Sequence, residues 1–103
     1  MSLQSTYLTT TSSAVYTSSG STAAMTFYVA NYSTTANATF SIWAVPNGGT
    51  PGNLNVMYSN VTVLAGDTYL ASTERIFLDD GDKIYARCNA NSAMSITLTY
   101  TSV

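Results

Sequence analysis

The sequence predicts an all-β domain, an antiparallel β-sandwich of jelly-roll-like character with about seven or eight strands. Three observations predict it. Apolar and polar residues alternate with period two, most cleanly in Ala93 to Ser102, and this alternation sends successive side chains to opposite faces of a strand. Turn-forming Gly, Pro, Asn, Asp and Ser recur roughly every 8–12 residues, the spacing of short sandwich strands. No segment joins a helical repeat to capping residues.

Residues 1–12 are small and polar, with Leu3, Tyr7 and Leu8 as large anchors. They read as an N-terminal arm or edge strand, and residues 13–103 as a single sandwich domain. Ser13 to Thr17 is a short extended piece, and Ser18 to Ser21 is a turn by composition. Ala23 to Tyr32 is the first long strand. Met25, Phe27 and Val29 fall on one face and Thr26, Tyr28 and Ala30 on the other. Ala38 to Val45 follows, with Phe40 and Ile42 on one face and Ser41 and Trp43 opposite. An apolar Trp43 on an otherwise polar face calls for a cover, either the N-terminal arm or a neighbouring subunit.

Pro46 lacks an N–H and ends ladder pairing. Gly48, Gly49 and Gly52 accept unusual backbone angles, so the residues from Pro46 to Asn53 read as a wide turn that reverses the chain between two β halves. Leu54 to Val63 is the next strand, with Met57, Ser59, Val61 and Val63 on one face. After the turn at Leu64 to Asp67, Thr68 to Leu78 is extended, with a bulge near Glu74 where the alternation breaks. Asp79-Asp80-Gly81-Asp82 is a sharp turn. Lys83 to Cys88 puts Ile84, Ala86 and Cys88 inward. The last strand puts Met94, Ile96, Leu98 and Tyr100 inward. The expected core is Phe27, Val29, Phe40, Ile42, Ile84, Ala86, Ile96 and Leu98.

Composition narrows the function. Charged residues make up 8% of the chain, against about 25% in an average soluble domain. The basic residues are Arg75, Lys83 and Arg87, and the net charge is −2. Such a chain offers no positive patch for phosphate backbones or anionic lipids, so neither nucleic acid nor membrane is an expected partner. There is no histidine, the commonest general base and metal ligand. Cys88 is the only cysteine. It has no partner for an intrachain disulfide and reads as a small apolar strand residue. The first residues have neither the basic nor the apolar run of a signal peptide. The N-x-S/T triplets at Asn31, Asn37 and Asn60 are what chance produces in a chain this rich in Asn, Ser and Thr.

Three features bear on sites. The acidic turn at Asp79–Asp82 is a candidate for calcium, but it lacks the spaced carboxylates of a calcium-hand loop, and Asp-Gly is also a favoured hairpin pair. Glu74 with Asp79 or Asp80 is the nearest thing to a glycosidase carboxylate pair, and nothing marks a cleft around it. The expectation is therefore a protein with no catalytic residues, no cofactor and no metal. The eight tyrosines say more. Tyr28, Tyr58 and Tyr85 are expected to face outward, where aromatic side chains suit protein interfaces or stack on sugars. The strands from Ala23 to Val45 carry no charge, although free β proteins usually guard their edges with charge or proline. The candidate interface residues are Leu3, Tyr7, Leu8, Tyr28, Trp43, Tyr58 and Tyr85, with the N-terminal arm as the piece reaching a neighbour.

The order of the motifs carries a resemblance. Val45-Pro46-Asn47-Gly48-Gly49-Thr50-Pro51-Gly52-Asn53 is followed by Val63-Leu64-Ala65-Gly66-Asp67-Thr68-Tyr69. Ile76-Phe77-Leu78-Asp79-Asp80-Gly81-Asp82-Lys83-Ile84-Tyr85-Ala86 and a closing Ser/Thr strand come last. From Tyr7 to the end the chain resembles a group of small virion proteins of tailed bacteriophages, many of them from cyanophages. None of these motifs is catalytic. The resemblance implies a non-enzymatic β-sandwich subunit of a virus particle, assembled in the host cytoplasm. Its implied partners are itself, as a homo-oligomer, and other virion proteins such as the major capsid protein or tail proteins. A capsid decoration or cement subunit is the leading expectation. A tail, neck or baseplate component and a carbohydrate-binding adhesion module are the alternatives.

Overall fold

The computed structural model describes residues 2–71 and 76–102. The described residues form nine strands and no helix. These are β1 (Ser2–Tyr7), β2 (Ser13–Thr17), β3 (Thr22–Asn31), β4 (Ala38–Val45), β5 (Val56–Val63), β6 (Thr68–Ala71), β7 (Ile76–Leu78), β8 (Lys83–Cys88) and β9 (Met94–Ser102). They build two antiparallel sheets. The first runs β1-β9-β3-β6, with β7 also paired to β3, and the second runs β2-β8-β4-β5. β6 meets β3 at Phe27 to Ala30 and β7 meets it at Thr22 to Ala24, so the two occupy one lane of the sheet. Counted as one lane, they leave the interleaved four-on-four order of a jelly roll. The fold class expected from the sequence is the one observed. The expected strand from Thr68 to Leu78 is extended at both ends, Thr68–Ala71 and Ile76–Leu78, and the residues between them, with the bulge expected near Glu74, lie outside the described residues.

The alternating patterns place the core. Every residue of the expected core set is buried in one cluster between the sheets, together with Leu8, Met94 and Cys88. In β8 the burial alternates strictly, with Ile84, Ala86 and Cys88 inward. β9 lies between β1 and β3, and its Met94, Ile96 and Leu98 meet Asn31, Val29 and Phe27 across the ladder. The side chain of Met25, expected on the same face, lies outside the described residues. The ladder shifts register there, between Ala24 and Thr26.

The glycine loop turns β4 into β5 as a hairpin within one sheet. It does not divide the molecule. Strands from before and after it alternate in both sheets, because a jelly roll winds the two halves around each other. The loop also has structural work on one side: Gly49 closes over Val45, where a Cβ would sit 3.3 Å from the Val45 Cγ1. Val45 is buried but lies outside the main cluster. β5 begins at Val56, and Leu54, expected in the strand, is in the loop and fully exposed.

The parity expected for β5 is corrected by two bulges. Phe40 pairs with Val61, but Ile42 pairs with Tyr58 and Trp43 with Val56. An extra residue in one strand reverses its in–out alternation. Asn60 sits at the first bulge with φ of 51°, a left-handed geometry that asparagine tolerates better than most residues. Its N–H donates to Ser41 Oγ at 3.0 Å, which gives the buried Ser41 hydroxyl a partner. As a result Tyr58 turns inward and packs on Phe40 and Tyr69, with ring centroids 6.3 and 6.0 Å away.

Cys88 is 1% exposed and its Sγ–H donates to the Ala90 carbonyl. The sulfur lies under the sheet, where a reagent in solution cannot reach it. The native protein is expected not to react with a thiol reagent in minutes, while the urea-unfolded protein reacts fully. Stoichiometric labelling of the native protein would contradict this placement.

Candidate functional site

Among the described residues, the strands of the first sheet carry no charge. Its outer face follows from the register. Leu3 lies beside Thr99 and Thr99 beside Thr26. The next row is Ser5, Thr97, Tyr28 and Leu70, and the one after it Tyr7, Ser95, Ala30 and Thr68. This face is a hydroxyl-rich platform. It is built because β9 alternates Ser or Thr with large apolar residues, β3 turns Thr26, Tyr28 and Ala30 the same way, and the apolar set of both is drawn inward. Leu3, Tyr28, Leu70 and Tyr7 stand on it at 68%, 42%, 55% and 74% exposure. Ser5 and Thr97 share a hydroxyl hydrogen bond of 2.9 Å across the β1–β9 pair.

At one end of this face Tyr7 and Tyr32 meet edge to face, with centroids 5.9 Å apart. They flank an open groove of about 470 Å³ with Leu8, Thr9, Asn91 and Ser92. The Asn91 side-chain carbonyl accepts the Thr10 N–H at 3.1 Å and so fixes one wall. The groove offers aromatic faces, hydroxyls and amide groups, and no charge.

The candidate interface residues are divided by the structure. Leu3, Tyr7 and Tyr28 share the platform. Leu8 is a correction: it is 1% exposed and belongs to the core, so it has no surface to offer a neighbour. Its amide donates to the Met94 carbonyl, which draws it under the sheet. Tyr58 is a second correction, turned inward by the β5 bulge. Trp43 and Tyr85 pair side by side on the outer face of the other sheet, both half-buried. The N-terminal strand does not cover Trp43. It pairs with β9 in the opposite sheet, so the cover expected over that residue is not the arm. Leu70, Tyr32 and Phe77 are exposed apolar residues that the sequence reading missed. Phe77 had a signal, since in Ile76-Phe77-Leu78 only the central residue has the outward parity.

The acidic turn serves as a clamp between loops. Asp82 accepts the Asn47 N–H with one carboxylate oxygen and the Asp79 N–H with the other, both at 2.9 Å. Asp80 accepts the Gly20 N–H at 2.9 Å. These bonds fasten the glycine loop and the β2–β3 turn to the β7–β8 turn. No group of three metal-ligating side chains occurs among the described residues. The pairing of Glu74 with Asp79 or Asp80 lies outside the described residues. Gly81 has φ of 87°, and a Cβ on it would come 2.6 Å from Asn47 Nδ2. Gly81→Ala is therefore expected to destabilise by about 1–2 kcal/mol, the usual penalty for a side chain in the left-handed region. Urea melts check this, and an unchanged midpoint would contradict it.

Beside this clamp the β2–β3 turn holds a small buried hydroxyl chain. Tyr16 O–H donates to Thr22 Oγ1 at 3.3 Å, Thr22 and Ser18 share a bond of 2.8 Å, and Ser18 O–H donates to the Gly20 carbonyl at 2.8 Å. Every member has a partner, so the chain satisfies its own polarity and shows no group left over for a ligand.

Comparison with protein-family models, curated proteins and solved structures found no match to this chain.

Proposed function

We propose that this chain is a non-enzymatic structural subunit of a virus particle, a capsid decoration or cement subunit that acts through protein–protein contacts. The observation that carries the reading is the absence of charge from the described strands of the first sheet, with Leu3, Tyr7, Tyr28 and Leu70 exposed on it. A lone soluble domain of this size gains solubility from charge spread over its surface. A subunit that spends its life against a protein lattice has no such need, and exposed aromatic and aliphatic groups among hydroxyls suit the core of an interface. The resemblance of the motif order to small phage virion proteins suggests the particle as the setting. Catalysis has no part in this reading, since the carboxylates with resolved partners at the acidic turn are occupied by backbone amides.

The test is to purify the particles of the virus that encodes the chain and locate the protein by labelled-antibody electron microscopy. Label spread over the capsid shell supports the decoration reading. Label confined to the tail, neck or baseplate overturns decoration and moves the subunit there. Absence from particles overturns the virion reading altogether.

The groove between Tyr7 and Tyr32 favours a second reading, a carbohydrate-binding adhesion module. Uncharged sugars bind on aromatic faces with hydroxyl and amide partners at the rim. Binding of the pure protein to a glycan array, lost in Tyr32→Ala, would support it. No binding at millimolar glycan would remove it.

A further inference from the structure

We propose that β1 is the seam of a two-fold dimer, in which it pairs antiparallel with β1 of a second copy, centred on Ser5. The inference rests on the assembly reading and names the edge and the register that the assembly uses.

β1 is the last strand of its sheet, so one side of its backbone is open. Which groups are free follows from the β1–β9 ladder. The Leu8 amide donates to the Met94 carbonyl at 2.9 Å, and this pair continues the register in which Thr6 meets Ile96 and Gln4 meets Leu98. Antiparallel strands alternate, so Leu8, Thr6, Gln4 and Ser2 turn their N–H and C=O groups toward β9. Leu3, Ser5 and Tyr7 turn theirs to the open edge.

These three residues are self-complementary. In a pairing centred on Ser5, Leu3 meets Tyr7 of the second copy, Ser5 meets its own equivalent, and Tyr7 meets Leu3. Each is a hydrogen-bonded pair, and together they form about six inter-subunit hydrogen bonds with no polar backbone group of the edge left over. The side chains agree with the backbone. Leu3 and Tyr7 are 68% and 74% exposed on the same outer face, and the pairing sets one against the other twice. Aromatic–aliphatic cross-strand pairs are favourable, and no like charges oppose each other because β1 has none.

The other edges are blunted. β2 is bulged between Ala14 and Tyr16, β5 is bulged twice, and the lane of β6 and β7 shifts register against β3, which pairs Phe27 with Ala71 but Ala24 with Ile76. Bulges and short strands are the ordinary guards against edge pairing. β1 has neither. Its ladder runs without a shift from Ser2 to Tyr7, with no proline and no charge. The dimer would join the two uncharged sheets into one continuous platform.

The test is sedimentation velocity of the full chain over a concentration series. The wild type is expected to dimerise. Ser5→Lys sets two lysines directly opposite at the two-fold axis, and should weaken association by at least about tenfold. Thr62→Lys, an exposed position on the bulged β5 edge, should leave association unchanged. Ser5→Cys places two thiols across a pair with Cα atoms about 5.5 Å apart, within disulfide range, so mild oxidation should yield a covalent dimer. Circular dichroism checks that each variant is folded. A wild type that stays monomeric at millimolar concentration overturns the proposal. So does equal damage from Thr62→Lys, or a folded Ser5→Cys that does not cross-link. A solution dimer that is absent from particles would sink the virion reading and leave this one standing. A particle-bound monomer would do the reverse.

Discussion

Phe40→Ala is expected to lower the unfolding free energy by about 3–5 kcal/mol, the usual loss for truncating a buried phenylalanine. The residue is 1% exposed at the middle of the sandwich. Its ring lies 5.4 Å from that of Tyr69 and 6.3 Å from that of Tyr58, at tilted angles that aromatic pairs favour. Tyr69 belongs to the first sheet and Tyr58 to the second, so Phe40 joins the two layers along the side where β5 and β6 are both edges. Its neighbours cannot fill the space. Tyr58 is held by the β5 bulge, and on the other side Cys88 of β8 is paired to Phe40 in the ladder. The cavity therefore stays open, and the loss should fall toward the upper end of the range. Phe40→Leu refills part of the volume and should recover more than half of the stability. Denaturant melts of both variants decide it. A loss below about 1 kcal/mol for alanine would mean that the ring is not in the core.

A regular backbone is legible in the sequence, and a bulged or distantly paired one is not. The shifts in the ladders of β8 and β9 fall in their partners β2 and β3, so one alternating pattern runs through each strand and puts Ile84, Ala86, Cys88, Met94, Ile96 and Leu98 in the core. β5 has the same kind of pattern, but its bulges reverse the parity. No local signal separates an asparagine at a bulge from one in a turn, so alternation alone points Tyr58 outward. Leu8 failed for a different reason. Its burial comes from pairing with the far end of the chain, at Met94, and no window of sequence contains that contact. The platform was half legible. The parity of Tyr28 could be read from β3. That Leu3, Tyr7 and Tyr28 share one face depends on β9 lying between β1 and β3, a property of the winding. Which strands are edges is likewise decided by the whole topology, so β1 as an open edge is visible only in the fold.

Asn31→Leu is expected to destabilise by about 3 kcal/mol, although it replaces a polar side chain in a core by an apolar one of similar size. In the sequence Asn31 ends a strand and heads an N-x-S triplet, and either role would leave it at the surface. It is 1% exposed. Its Nδ2 donates to the Val63 carbonyl at 3.0 Å and the Ala36 carbonyl at 2.9 Å, and its Oδ1 accepts the Ser33 N–H at 3.1 Å. Its own backbone is engaged as well: the Asn31 N–H donates to the Asp67 carbonyl, and the Asn31 carbonyl accepts the Gly66 N–H. One residue thus ties the end of β3 to the β3–β4 connection, to the end of β5 and to the β5–β6 turn. Leucine keeps the volume and strands three backbone groups, of which the Val63 carbonyl is buried and cannot turn to water. An unpartnered buried group of this kind costs about 1–3 kcal/mol, more than the apolar side chain returns. Asn31→Asp separates this account from a simple packing effect. The carboxylate keeps the shape and the acceptor for Ser33, but aims an oxygen at two carbonyls that need a donor. It should therefore be at least as damaging as leucine at neutral pH. Urea melts of the two variants, run beside Asn37→Asp at an exposed site as a control, give the comparison. If leucine is neutral, or if aspartate is milder than leucine, the side-chain bonds do not hold this corner. The same burial predicts that the folded chain refuses a glycan at Asn31, since the amide that would carry it is the donor to Val63 and Ala36.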